Sequence, residues 1–282
     1  MTQDVWLSKH PYLRSIADFH EQVAAAADGV PIASARVPNW KNYMRDYQAG
    51  IPLLRSSHAI DLDPAEPIVV SLVESLASKP LPEKLAVECR VLDTQLRSEL
   101  NAPHRAVAWL LNSEDYKPAY PGLLRYLGWT ALARYLRPLM DAFGCWRDEE
   151  HWLCSYCPTC GSAPAMAQLT GTDPGRLRLL SCGCCGTRWR YRRTGCPFCE
   201  SGDDHRLAAL VVEGEGCLRI DYCDSCRAYL KTYDGQGSET LLLADWTSLH
   251  LDIIAQDRGL KRLAASLYEL SSPPSSVLER LG

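Results

Sequence analysis

The sequence predicts an α+β protein: a helical N-terminal domain, then a tandem of rubredoxin-like or zinc-ribbon four-cysteine metal sites, then a C-terminal helix. Three observations predict this. Apolar residues keep helical spacing between proline breaks over residues 1–150, four Cys-X-X-Cys pairs crowd into residues 151–233, and helical texture returns over residues 234–282. With 282 residues and 46% hydrophobic content, the chain can build a sizeable core.

The first segment is punctuated by prolines from Pro31 to Pro121, residues that end or open helices because they lack an amide donor. In "EPIVVSLVESLASK", Ile68, Val69, Leu72, Val73 and Leu76 recur at three- and four-residue steps behind Pro67, which suits a first helical turn. Leu123, Leu124, Leu127, Leu132, Leu136, Leu139 and Met140 form a second stripe in the last segment before the cysteines. Such stripes are the core faces of a bundle or array. Trp40, Tyr43 and Tyr47 belong either to that core or to a groove.

From Cys154 the texture changes to glycine, cysteine and short β-prone runs: "LRLL", "RWRY", "LAALVV", "CLRI" and "YLKTY". This segment is an internal repeat. Cys157, Cys160, Cys182 and Cys185 form one set of two pairs with 21 residues between them; Cys196, Cys199, Cys223 and Cys226 form a second with 23. The agreement extends beyond cysteine, since Gly175, Leu177, Arg178 and Cys182 match Gly216, Leu218, Arg219 and Cys223 at a constant offset of 41. Each copy therefore carries a complete set of four ligands.

The chemistry needs this spacing. A Cys-X-X-Cys turn aims two thiolates at one ion while its amides point at the sulfurs, and two such turns complete a closed tetrahedron. Pro158 and Pro197 preset the turns, and Gly161 and Gly186 can take a positive φ. We expect two metal ions, each held by four cysteines and paired in sequence order. Soft sulfur ligands select zinc or iron over calcium and magnesium, and spacing alone favours zinc. A thioredoxin-like dithiol needs its first cysteine at a helix N-terminus in a βαβ setting, which is not visible here. Cys154 overlaps Cys157 as an alternative pair, but Pro158, Gly161 and the repeat favour Cys157 with Cys160; Cys154, Cys184 and Cys217 are left as spare thiols without an assigned role.

"LLLADWTSLHLDIIAQDRG" reads as a helix to about Gln256, with Leu242, Trp246, Leu249 and Ile253 on the face that packs back on the ribbons, and "SSPPSSVLERLG" reads as a frayed tail. The opening residues contain no signal-peptide core and no run of eighteen apolar residues occurs, so a cytoplasmic protein without a membrane span is expected. The seven histidines are scattered and read as surface or core residues; His205, after "SGDD", is the one placed to substitute for a cysteine. No Ser/His/Asp set or phosphate-binding glycine loop is present, and two closed four-thiolate shells leave no open position for a substrate, so no turnover is expected.

"LRLLSCGCCGTRWRYRRTGCPFCES", "CDSCRAYLKTY" and "LADWTSLHLDIIAQDRG" closely resemble the formate dehydrogenase accessory protein family, FdhE, over roughly residues 150 to 260. The resemblance implies a cytoplasmic, chaperone-like factor for maturation of respiratory, molybdenum-containing formate dehydrogenase, one that binds the catalytic subunit and carries two rubredoxin-like centres of iron. It places the ligands at the eight cysteines named above and interaction candidates at Trp189, Asp224, Tyr229, Leu230 and Lys231. Arg188 departs from the family pattern, which is acidic there. A homodimer is left open.

Two other readings compete. Arg176, Arg178, Arg188, Arg190, Arg192 and Arg193, interleaved with Trp189 and Tyr191, suggest a nucleic-acid-binding zinc ribbon. Alternation along a strand, however, puts Arg188, Arg190 and Arg192 on one side and the aromatics on the other. Two tetrathiolate zincs also add about −4, and two ferric ones about −2, to a segment with 10 Lys/Arg against 8 Asp/Glu. A rubredoxin-like electron carrier keeps the iron but gives the helical residues no use.

Overall fold

Thr2 opens the first helix, α1 (Gln3–Lys9), by accepting from the Val5 amide. The computed structural model describes residues 1–57, 60–172, 175–200 and 206–267. Helix α2 (Arg14–Asp28) follows a single 3-10 turn, and Asn39 caps α3 (Trp40–Gln48) through a bond from the Lys41 amide. After them come α4 (Glu66–Ala77), α5 (Glu83–Ser98), α6 (Ala102–Leu110) and the 26-residue α7 (Pro121–Trp146). Pro67 and Pro121 lie in the first turns of α4 and α7, where a missing donor costs nothing. The apolar stripe of α4 is buried throughout, and in α7 only Met140 of the predicted stripe is partly exposed. Gly128 lets α7 approach α6 closely, since a Cβ there would stand 2.4 Å from Leu110 Cδ1.

The cysteine segment forms one six-stranded sheet: β1 (Pro164–Thr170), β2 (Leu177–Cys182), β3 (Arg188–Tyr191), β4 (Leu207–Val211), β5 (Leu218–Cys223) and β6 (Tyr229–Asp234). Their order is β3-β2-β1-β6-β5-β4. Each repeat is thus an antiparallel three-stranded ribbon, and the two join head to tail through a parallel pairing of β1 with β6, Met166 opposite Lys231. Sequence patterning missed β1. "PAMAQLT" lacks β-branched residues until its last position and alternates nothing, because a strand at the centre of a sheet is buried on both faces.

Core membership cuts across the change of texture. One core runs from the helices into the first ribbon, joining Tyr47 and Phe143 to Trp152, Leu180 and Trp189. The other joins Trp6, Leu7 and Leu13, at the start of the chain, to Ile220 and Tyr233 of the second ribbon and to Trp246 and Leu251 beyond it.

The single helix expected to about Gln256 is three pieces: α8 (Glu239–Leu242), a 3-10 turn over Asp245–Ser248 and α9 (Leu249–Asp257). The break rotates the face. Leu242 and Trp246 are buried as expected, but Ile253 is 62% exposed and Leu251 and Ala255 face inward instead. Asp245 opens the 3-10 turn, and its carboxylate is buried against Lys231. The frayed tail from Ser271 and the substitute ligand His205 lie outside the described residues.

Candidate metal centres

Four knuckles, one at each Cys-X-X-Cys pair, share one backbone design. In each, the amide of the residue after the second cysteine donates to the carbonyl of the first: Gly161 to Cys157 at 2.9 Å, Gly186 to Cys182 at 3.2 Å, Glu200 to Cys196 at 2.9 Å and Arg227 to Cys223 at 2.8 Å. All four donors sit at positive φ, between 57° and 79°. Gly161 and Gly186 were foreseen on that ground; Glu200 and Arg227 were not, because side-chain-bearing residues rarely adopt it.

The knuckles bring the eight cysteines together as two groups, Cys157, Cys160, Cys182 and Cys185 in one and Cys196, Cys199, Cys223 and Cys226 in the other, with all sulfurs of a group within 4.8 Å of one another. Sulfur pairs across the first group are 3.5 Å apart, and across the second 3.7 and 3.8 Å. Metal–sulfur bonds of about 2.3 Å require tetrahedral edges of roughly 3.8 Å, so both groups fit zinc or a single iron. The grouping follows chain order, and a cross-braced arrangement is not what the fold assembles. All thirteen cysteines are free thiols, with no disulfide competing for the ligands.

Electrostatics point to a cation at these groups. Four adjacent thiols cannot all ionise on their own: its bonded thiol neighbours hold Cys160 well below the ordinary range, while Cys182 and Cys185 are pushed well above it by those neighbours and by burial. In the second group burial pushes Cys196 to about 12, whereas backbone amides outweigh burial at Cys223 and bring it to about 7. Amides of Phe198 and Cys184 lie 3.4 Å from the sulfurs of Cys196 and Cys182, the placement expected for stabilising thiolates.

The groups differ in access. The first is buried at all four cysteines and is clamped by the helical half: Leu53 and Leu54 amides donate to the Pro158 and Thr159 carbonyls at 2.9 Å, and Thr159 Oγ1 meets Thr187 Oγ1 at 2.8 Å across the two knuckles. In the second, Cys199 is exposed and Cys226 half-buried. Nothing in the spacing of the cysteines distinguished them; the difference arises from which ribbon the helices cover.

Of the spare thiols, Cys154 stands outside the first group, half-buried, with its carbonyl accepting from Trp189 Nε1 at 3.1 Å. Cys184 supplies the amide just described, and Cys217 packs half-buried beside the second core. None joins either set of four.

Four of the five interaction candidates are not surface residues. Trp189, Tyr229, Leu230 and Lys231 are buried, and only Asp224 is exposed. Trp189 and Leu230 belong to the first core; for Tyr229 and Lys231 the reason is charge pairing in the interior. Lys231 Nζ donates to Asp245 Oδ1 at 2.6 Å and Asp252 Oδ2 at 2.7 Å; Arg262 reaches the other oxygens of both carboxylates at 2.8 Å, and Tyr229 donates to Asp252 at 2.6 Å. Two cations balance two anions, the condition under which buried charge is tolerated. Burial alone would raise the Asp245 pKa, but Lys231 and Arg262 outweigh it and hold the group at about 2.

The arginine face is equally occupied. Trp189 and Tyr191 are buried, so they offer no stacking platform, while Arg176 pairs with Asp234, Arg190 with Glu150, and Arg188 with the Gln168 side chain. None of the described helices is long and apolar enough to cross a membrane.

A family model described as "FdhE, central domain" matches residues 156–193, the first ribbon. The chain is 33% identical over 133 residues to the protein FdhE homolog of Aquifex aeolicus (strain VF5), covering 45% of this chain and 47%, about half, of the length of that relative. It is 28% identical over 278 residues to the protein FdhE homolog of Stutzerimonas stutzeri (strain A1501), covering 92% of this chain and 84% of the relative. Among solved structures, that of the FdhE protein from Pseudomonas aeruginosa is similar in fold, with a TM-score of 0.63, 24% identity, and coverage of 91% of this chain and 88% of the other.

Proposed function

We propose, from its similarity to FdhE proteins, that the chain is a formate dehydrogenase accessory protein of that family, and that it binds the catalytic subunit of a molybdenum-containing formate dehydrogenase in the cytoplasm during maturation, without turnover of its own. The eight clustered cysteines hold two ions, of iron or zinc. When bound, each ion cross-links four sulfurs and replaces the core that so small a ribbon lacks. A closed shell of four thiolates leaves no position for a substrate, which favours a binding role.

The observation that carries the reading furthest is the unequal cover of the two centres. The first is enclosed by the helices, so it is a structural anchor. The second shows Cys199 at the surface beside Asp224, and its ribbon ends in β4, an edge strand with Val211 73% exposed. Exposed strand edges and knuckle rims accept extended chains, so this rim is the contact surface in place of the buried Tyr229 and Lys231.

Anaerobic capture of the catalytic subunit tests this. The unmodified protein should retain it, and a variant carrying Val211→Lys with Asp224→Lys should lose about tenfold in affinity, ~1.4 kcal/mol, while keeping its metal. Failure of the unmodified chain to capture any catalytic subunit, or tight salt-sensitive binding to nucleic acid, sinks the functional reading. Full capture by the variant removes only the rim.

A further inference from the structure

His10, Glu215 and His250 lie far apart in the sequence. The fold brings them together where the end of α1, the β4–β5 turn and α9 meet. His10 Nε2 is 3.0 Å and His250 Nε2 2.8 Å from the same oxygen, Glu215 Oε1, and the two imidazoles stack with centroids 5.1 Å apart. His10 and Glu215 are buried, and the His250 side chain is nearly so.

Three details define the site. First, His10 Nδ1 is 3.0 Å from the Trp6 carbonyl, which can only accept, so Nδ1 carries a proton and Nε2 is the nitrogen that faces the carboxylate. Metal-binding histidines are oriented in this way, by a carbonyl on the other ring nitrogen. Second, His250 Nε2, although near Glu215, is not aligned for a hydrogen bond and is buried without one, as is His250 Nδ1. Third, Glu215 Oε2 is buried with no partner, which is costly for a carboxylate oxygen unless something else binds it. A cation among these atoms would satisfy His250 Nε2 and Glu215 Oε2 together.

We propose that His10, His250 and Glu215 form a third metal centre, which takes a divalent transition ion of borderline softness. Bonds of about 2.1 Å to nitrogen and oxygen place adjacent ligand atoms roughly 3.0 Å apart in octahedral geometry, close to the two nitrogen–oxygen distances, 3.0 and 2.8 Å, found here. Two imidazoles and a carboxylate suit zinc, cobalt or iron(II) and disfavour calcium and magnesium. Glu215 Oε2 is placed to make the carboxylate bidentate. The ion ties the first helix of the chain to the second ribbon, independently of the thiolate groups and of any partner protein.

Cobalt(II) is the probe. In the full chain with both cysteine groups filled by zinc, one equivalent of cobalt(II) should bind, showing visible d–d absorption without sulfur-to-cobalt charge transfer. It should also shift ring-proton signals of two histidines, His10 and His250, far outside the ordinary range. Glu215→Gln and His250→Ala, each keeping two zinc equivalents as evidence of folding, should take up none. Absence of cobalt binding, a charge-transfer band, or undiminished uptake by both variants overturns the proposal. If either variant loses zinc, the paramagnetic shifts in the unmodified chain decide: two shifted histidines sustain the site, and none removes it.

Discussion

The indole Nε1–H of Trp189 donates to the Cys154 carbonyl at 3.1 Å, tying the middle of β3 to the chain just before the first knuckle. Trp189→Phe keeps most of the buried ring but leaves that carbonyl without its donor. The expected cost is about 1–3 kcal/mol in denaturant unfolding, with both thiolate-bound ions retained, since neither residue's side chain is a ligand. Unchanged stability would show the bond to be dispensable.

Unequal cover predicts unequal metal release. A chelator should extract one ion quickly, from the group that includes exposed Cys199, and the other slowly. Cys196→Ser combined with Cys199→Ser should abolish only the fast phase. Loss of both ions from a chain still folded would contradict sequential pairing.

Lys231 sits on a strand buried on both faces, so its replacement tests interior balance and not a docking surface. Lys231→Met leaves Asp245 and Asp252 to share Arg262, and stability should fall by about 3–5 kcal/mol. Thermal or chemical unfolding measures it directly. A neutral result would mean that Arg262 compensates both carboxylates alone.

Acid should act through the same network. Asp245 is held at about 2, below its ordinary 3.8. The unfolded chain therefore binds the proton more readily, and this contribution to stability is complete above about pH 4 and lost as pH falls toward 2. Asp245→Asn should flatten the stability curve in that window. Metal loss from the thiolate groups also rises in acid, so the comparison is made between variants at equal metal content.

How much of this was legible depended on whether a signal was local. The cysteine pairs, their glycines and the α4 and α7 stripes each carry their meaning within a few residues, and the ligand groups assemble as read. β1 escaped because a doubly buried strand shows no alternation. Tyr229 and Lys231 were named as contact residues by the family resemblance, which carries no information on burial; only the fold reveals Asp245 and Asp252 waiting inside. His10 and His250 are separated by nearly the whole chain, and no spacing rule joins residues so distant.

The parallel pairing of β1 with β6 also sets an order of events during synthesis. The helices and the first ribbon emerge from the ribosome early and already contain nearly all of the first core, but the outer edge of β1 stays bare until β6 arrives. Trp6, Leu7 and Leu13, which precede all of these, wait still longer, because their partners extend to Leu260. The helix with Trp6 and Leu7 and the segment around Leu251 and Leu260 are thus fastened late and to each other, and a product cut short before that segment cannot complete the second core.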